Sequence, residues 1–280
     1  MVRERADGRE FPFEWADFER LRQLSYSHSG IVVPDSKFQM FYTRLVKRLR
    51  ALGLSSFGEY VEYLETHREA EFSHFINALT TNLTSFFREP HHFDFLRDTV
   101  IPQALENRVP RLRVWSAGCS TGEEPWSIAM TLAEHALPKG LRFEVLATDI
   151  DSNVLAQARA GIYPLNRLEG LDLETRRRWF QKGRGANADK ARIKPELRQF
   201  VGFRQLNLIQ PFRHTEPLDV IFCRNVVIYF DRPTKETLIS RYADSLKPDG
   251  YLIMGHSESL HGISTRFRLI GRTVYQKQGG

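Results

Sequence analysis

Between Trp115 and Met130 the chain reads WSAGCSTGEEPWSIAM, an apolar strand end, two glycines four residues apart, then two glutamates and a proline opening a helix. A glycine turn between a strand and a helix commonly holds phosphate, because the first helical amides are unsatisfied and the backbone lets a ligand come close. Here the spacing is G-x-x-x-G, not the G-x-G-x-x-G of dinucleotide folds. Pro125 lacks an N–H and belongs in the first helical turn, which puts the N-cap at Thr121 or Gly122 and both Glu123 and Glu124 beside the exposed amides. Negative charge at that end complements the helix dipole, repels a pyrophosphate and favours a ligand with positive groups. Asp149 ends the next apolar run about 30 residues after Gly118, where an acid that accepts hydrogen bonds from ribose hydroxyls belongs.

A nucleoside with cationic rather than phosphate substituents answers both features. S-adenosylmethionine has that make-up: adenine, ribose, a sulfonium and an ammonium. On this reading Glu123 or Glu124 meets the positive groups, with the choice between them open, and Gly118 lets the backbone approach.

The elements that must position these residues begin at Arg111. LRVWSAG, FEVLATD, LDVIFCRN and GYLIMGH are short apolar runs of the kind found in buried parallel strands. EEPWSIAMTLAEHAL, SNVLAQARAG and RPTKETLISRYADSL are the helices between them. The order predicts an open α/β sheet, and FRLIGRTVYQK predicts a closing strand pair. Ligands of such sheets bind outside the carboxyl ends of the strands, which nominates Gly118 to Glu124, Asp149, Asn207, and Arg224 with Asn225. Tyr163 to about Leu206 interrupts the rhythm with glycines, many charges and the alternating run QFVGFRQLN, and predicts a small inserted β-subdomain at about 164–205.

Upstream of Leu105 the pattern is helical. FEWADFERLRQLSYSH, DSKFQMFYTRLVKRLRALG, SSFGEYVEYLETH and EAEFSHFINALTTN each repeat apolar residues at intervals of three and four. The division expected is a helical domain over 11–80, a linker helix over 81–105 and an α/β domain over 106–280. Projected at 100° per residue, Phe38 to Leu52 places Phe38, Phe41, Leu45, Leu49 and Leu52 on one side. Lys37, Arg44, Lys47, Arg48 and Arg50 cover the other side, with no acid between Ser36 and Gly58. A face of one sign forgoes intrahelical pairs and leaves its field for an acidic partner.

Composition bounds the rest. The 280 residues are 41% hydrophobic and 26% charged, ordinary for globular domains, and 40 basic against 34 acidic residues leave a net charge of +6. The first residues are charged where a signal peptide is apolar, and the longest apolar runs are far too short to span a bilayer, so a soluble cytoplasmic protein without direct membrane insertion is expected. Cys119 and Cys223 are the only cysteines, which implies neither a disulfide framework nor a structural metal. Adjacent His91 and His92 read as surface or packing residues rather than ligands, for want of an acid or cysteine at helical spacing.

Five stretches together resemble the CheR family, the chemotaxis receptor glutamate O-methyltransferases: NLTSFFRE from Asn82, WSAGCSTGEEPWSIAM, ATDIDSNVLAQARAGIY, FCRNVVIYFD and LKPDGYLIMGHSESL. The likeness runs from about Phe11 to Lys277, with a helical N-terminal and a catalytic C-terminal domain in the family's order. It implies an all-α domain followed by an S-adenosylmethionine-dependent, Rossmann-like methyltransferase domain with an inserted β-subdomain. It further implies that Asn82, Thr84 and Arg88 lie in a linker reaching over the cofactor, that Glu124 and Asp149 bind it, and that Asn207, Leu208, Arg224 and Asn225 complete the pocket. The insertion is similar to the subdomain that in some members docks a pentapeptide at the receptor's carboxyl terminus. The basic helix corresponds to the face that reads the receptor's methylation helices.

The reaction so implied needs no general base, because a glutamate with an ordinary pKa near 4.3 is already ionised at neutral pH. Attack of a carboxylate on a sulfonium methyl removes two opposite charges, so alignment and exclusion of water favour it, and the product is S-adenosylhomocysteine. Arg88 and Tyr229 are the candidates for orienting the carboxylate and lining the methyl's path. A nucleic-acid methyltransferase is the competing enzyme reading, but CRNVVIYF stands where amino-directed base methyltransferases carry Asn or Asp, two prolines and an aromatic. A cofactor-binding receptor module without catalysis is the non-enzyme alternative.

Overall fold

A computed structural model describes residues 9–279, which divide into two compact units. One runs to Thr81 and takes in Tyr229–Asp231; the other starts at Asn82 and holds the remainder.

The first unit is built from α1 (Trp15–Ser29), α2 (Phe38–Leu52), α3 (Phe57–Thr66) and α4 (Arg68–Leu79). Local chemistry sets the starts: the Ser56 hydroxyl accepts the Glu59 amide at 3.1 Å, and Asp17 reaches back to the Glu14 amide at 2.9 Å. Helix α2 buries Phe41, Leu45 and Leu49 of the apolar side given by projection, with Val46 beside them, while Phe38 and Leu52 are half-buried. Phe18, Leu21, Tyr60, Leu64 and Phe75 complete this core.

The opposite side of α2 departs from the expected uniform basic face. Arg48 forms a two-pronged pair with Glu71 of α4, at 2.7 and 2.5 Å. Arg44 donates to the carbonyls of Leu79 and Thr80, at 2.6 and 2.9 Å, and to Thr81 Oγ1, so it caps the carboxyl end of α4. Arg50 pairs with Glu10. The acids missing from the helix's own stretch are supplied by residues remote in sequence. Lys37 and Lys47 remain exposed, with no ionic partner among the described residues.

The second unit opens with α5 (His91–Phe95), a π-turn over Leu96–Val100 and α6 (Ile101–Glu106). Phe93, Leu96, Val100, Ile101 and Ala104 join the core of the sheet, so this stretch is a layer of the α/β unit and not a separate linker. Then come β1 (Arg111–Ala117), α7 (Glu123–His135), β2 (Arg142–Asp149), α8 (Ser152–Ala160), β3 (Ile162–Pro164), α9 (Leu173–Trp179), β4 (Phe180–Lys182) and β5 (Lys190–Ile193). They are followed by α10 (Pro195–Arg198), β6 (Val201–Gln205), β7 (Leu218–Cys223), α11 (Arg232–Ser245), β8 (Leu246–Met254), β9 (Phe267–Gly271) and β10 (Val274–Lys277).

The main sheet has the order β6-β2-β1-β7-β8-β10-β9. Its first five strands are parallel, and the expected closing pair is antiparallel. Strand order reverses beside β1, with β2 on one side and β7 on the other, which places the ligand crevice at the carboxyl ends of these strands.

The inserted subdomain is smaller than expected. A three-stranded antiparallel sheet, β3-β5-β4, spans Ile162 to Ile193. Val201–Gln205 leaves it and pairs parallel with β2, from Val145↔Val201 to Asp149↔Gln205. As an edge strand β6 is partly exposed, and such a strand alternates like an antiparallel one, which hides its direction.

Candidate functional site

The turn after β1 is held from below. The amides of Gly118 and Cys119 both donate to the Thr148 carbonyl, at 2.8 and 2.9 Å, tying it to the end of β2. Gly118 and Gly122 have φ of 96° and 97°, in the region that favours glycine. Gly122 is the N-cap of α7, one of the two positions expected. A Cβ on Gly122 would lie 2.7 Å from Ala158 Cβ and 2.8 Å from its Cα, and one on Gly118 would lie 2.4 Å from Val226 Cγ2. Close packing within the unit is therefore enough to require glycine at both. Gly122→Ala is expected to cost about 1–3 kcal/mol of stability through left-handed strain and this overlap, read as a lowered melting temperature.

Asp149 closes the turn from the side. Its Oδ2 accepts the Ser120 amide at 2.8 Å and its Oδ1 accepts the Asp151 amide at 2.9 Å. With backbone donors at Ser120, Asp151 and Ile150 against about four lone-pair sites, the carboxylate keeps room for a ligand donor. Burial, opposed by those backbone hydrogen bonds, pushes the Asp149 carboxyl up to about 6. The Leu206 amide donates to the Asp149 carbonyl at 2.9 Å, which brings Asn207 and the buried Leu208 next to this strand end. Asn82 arrives here too: its amide donates to Asp151 at 2.9 Å and its carbonyl accepts from the Ser120 hydroxyl at 3.2 Å.

The two glutamates of the helix start have different fates. Glu123 is wholly buried and committed, pairing with Arg167 and accepting the Thr121 hydroxyl at 2.6 Å. Arg167 also donates to the Thr84 carbonyl at 3.0 Å. Glu124 accepts from Ser116 at 2.8 Å and pairs with Arg224 at 3.1 Å. Burial raises the Glu124 pKa, with Arg224 and Ser116 opposing, so an added positive charge would relieve this carboxylate. Its side chain retains 11% exposure where Glu123 has none.

Arg224, at the end of β7, joins these groups to the stretch around Arg88. It donates to the Arg88 carbonyl and lies 3.4 Å from Glu89. Arg88 sits between two non-glycine residues in left-handed conformation, Phe87 at φ 50° and Glu89 at φ 56°. Such strain persists only where the surroundings hold it, and it gathers at ligand sites. Arg88 is half-buried as a residue, and its guanidinium donates to the Leu83 carbonyl at 3.0 Å in an exposed hydrogen bond. Asn225, next after Arg224, is left-handed at φ 58°.

Tyr229 falls in the first unit. Tyr229–Asp231 belongs to the helical unit, where the Val32 amide donates to the Tyr229 carbonyl at 2.8 Å and Ile31 bridges Phe230. Its side chain is 37% exposed.

The two histidines do have an acid at helical spacing, Glu89, three residues before His92. Donor atoms of Glu89, His91 and His92 lie within 4.8 Å of one another. Burial, and then the Arg224 guanidinium, pushes His92 down to about 3, so its ring is neutral. The arrangement does not suit a metal ion, because Arg224 already holds the cationic place beside Glu89 Oε2, and a divalent cation there would face the guanidinium. Cys119 and Cys223 are free, buried thiols.

Two acids and a string of polar residues at the strand ends around the switch point describe a nucleoside crevice with a negative lining. Residues 82–276 match the CheR methyltransferase, SAM binding domain, which makes the second unit the S-adenosylmethionine-binding domain of a methyltransferase. Residues 16–80 match the CheR methyltransferase, all-alpha domain. Over 262 residues the chain is 47% identical to the chemotaxis protein methyltransferase of Salmonella typhimurium, covering 93% of this chain and 89% of that protein. It is similarly 47% identical over 262 residues to that of Escherichia coli, covering 93% and 90%. Chemotaxis protein methyltransferase 2 of Pseudomonas aeruginosa matches at 47% over 267 residues, covering 95% and 94%. The chain belongs to the CheR methyltransferase family.

Proposed function

We propose that this chain methylates glutamate side chains of chemoreceptors in the cytoplasm, forming glutamyl methyl esters and S-adenosylhomocysteine. The observation that carries the reading is a pair of buried carboxylates at the switch point, Glu124 and Asp149, both raised by burial. Bound there, S-adenosylmethionine supplies an electrophilic methyl. Asp149 accepts from the ribose hydroxyls with its spare lone pairs. Glu124, which keeps some exposure, faces the positive groups, while Glu123 holds Arg167 in place. Gly118, Asn82, Thr84, Asn207, Leu208, Arg224 and Asn225 complete the pocket. Arg88, fixed by its strained neighbours, orients the incoming carboxylate.

Lys37 at the N-cap of α2 and Lys47 within it, without ionic partners among the described residues, meet the acidic methylation helices, and the β3-β5-β4 sheet docks a receptor's carboxyl-terminal pentapeptide where one exists. The test is calorimetric titration with S-adenosylmethionine, then radiolabelled methyl transfer to receptor cytoplasmic fragments with and without their tails. Saturable binding and base-labile label on glutamate are expected. Binding without transfer to any fragment would make the chain a cofactor-binding module instead.

A further inference from the structure

Glu258, in the loop after β8, has no part in the roles given above. Its carboxylate is 3% exposed, and among the described residues it has no cationic partner. Four backbone amides take that place. Oε2 accepts from Asn225 at 2.8 Å and from Gly255 at 2.7 Å. Oε1 accepts from Val226 at 2.9 Å and from Ile228 at 3.3 Å. Three of these donors follow β7 and the fourth follows β8, so one carboxylate pins the carboxyl ends of two neighbouring parallel strands.

The pinned stretch contains the groups nearest the cofactor crevice. Asn225 is held in its left-handed conformation by the first hydrogen bond. Arg224, one residue earlier, reaches Glu124 and the Arg88 carbonyl. Val226, one residue later, packs where a side chain on Gly118 would sit. Isolated left-handed asparagine costs free energy, and an ionised acceptor taking several N–H groups is among the stronger devices that can hold it.

We propose that Glu258 is a positioning residue for methyl transfer: its carboxylate collects the Asn225, Val226, Ile228 and Gly255 amides and thereby sets the Arg224–Asn225 edge of the S-adenosylmethionine crevice. The inference rests on the crevice assigned under the proposed function. Glutamine cannot replace it, because each oxygen takes two N–H donors and the glutamine NH2 would face two of them with donors of its own.

The test is Glu258→Gln and Glu258→Asp in the full chain, with S-adenosylmethionine affinity by calorimetry, melting temperature, and hydrogen exchange at the four amides. Glu258→Gln is expected to stay folded, to lose protection at Asn225 and Val226 first, and to bind S-adenosylmethionine about tenfold or more weakly. Glu258→Asp, which keeps the charge, is expected to recover part of that loss. If Glu258→Gln lowers the melting temperature but binds within about twofold of the parent, the carboxylate is structural only and the proposal falls. Parent protein that fails to bind S-adenosylmethionine would overturn the crevice assignment itself, a different result from a parent that binds and a variant that matches it.

Discussion

Reversing Arg48 to glutamate is expected to destabilise the protein by about 3–5 kcal/mol, the cost of leaving a buried partner charge unpaired. The partner is Glu71, 1% exposed, which also accepts the Tyr60 hydroxyl at 3.0 Å. Tyr60 is itself fully buried, and burial, then Glu71, raises its pKa. A second carboxylate at position 48 would repel Glu71 where water cannot screen them. At about 4–8 °C per kcal/mol for a unit of this size, the melting temperature of the helical transition should drop by more than roughly 10 °C. Arg48→Lys keeps the charge but loses the second prong, and should fall between. The contrasting pair is Lys37→Glu and Lys47→Glu, which touch no ionic partner among the described residues and should leave melting unchanged while slowing receptor methylation. Arg48→Glu protein that melts like the parent yet methylates slowly would return Arg48 to the docking face and take the ion pair out of the account.

That contrast shows what a linear reading can reach. The strands β1, β2, β7 and β8 were legible because parallel strands covered on both faces are unbroken apolar runs, and the start of α7 was legible because Pro125 admits few positions. Asp149 stood out because the polar residue that ends a parallel strand faces the crevice, and Glu123 with Glu124 because acids just inside the start of α7 lie beside its unsatisfied amides. Partnerships were not legible. Arg48 meets Glu71, Arg44 meets the end of α4, Arg50 meets Glu10, and each acceptor lies more than twenty residues away with no local periodicity to announce it. The same holds for Arg224 with Glu124 and Glu89, and for the Glu258 carboxylate under the β7 loop. Val201–Gln205 misled for another reason: an edge strand alternates whether its neighbour is parallel or antiparallel, so pattern alone could not say which sheet it joins. Glu89 escapes helical periodicity as the acid of the His91 and His92 pair because it lies before the helix start, where its own left-handed backbone brings it round to the rings.

Asp149 should tie cofactor binding to pH, and its removal should be the most costly single change in the crevice. Burial lifts its carboxyl from the ordinary 3.8 to about 6, so the folded protein holds this proton more tightly than the unfolded chain. Its contribution to stability is therefore greatest below the unfolded value, declines as pH rises between about 4 and about 6, and is a constant cost above that. Ribose hydroxyls donate to the ionised form, so the ligand shifts the carboxyl down again and drives the proton off. Affinity for S-adenosylmethionine is then expected to rise from about pH 5 to about pH 7, with net proton release near pH 6 visible as a buffer-dependent binding enthalpy. Asp149→Ala should weaken binding by about 1–3 kcal/mol at neutral pH, the loss of charge-assisted hydrogen bonds. It should also flatten the pH profile to the share due to Glu124, whose pKa burial raises as well. A parent affinity that is level across this range, or an Asp149→Ala variant with the parent's slope, would mean that the carboxylate holds the Ser120 turn and nothing of the ligand.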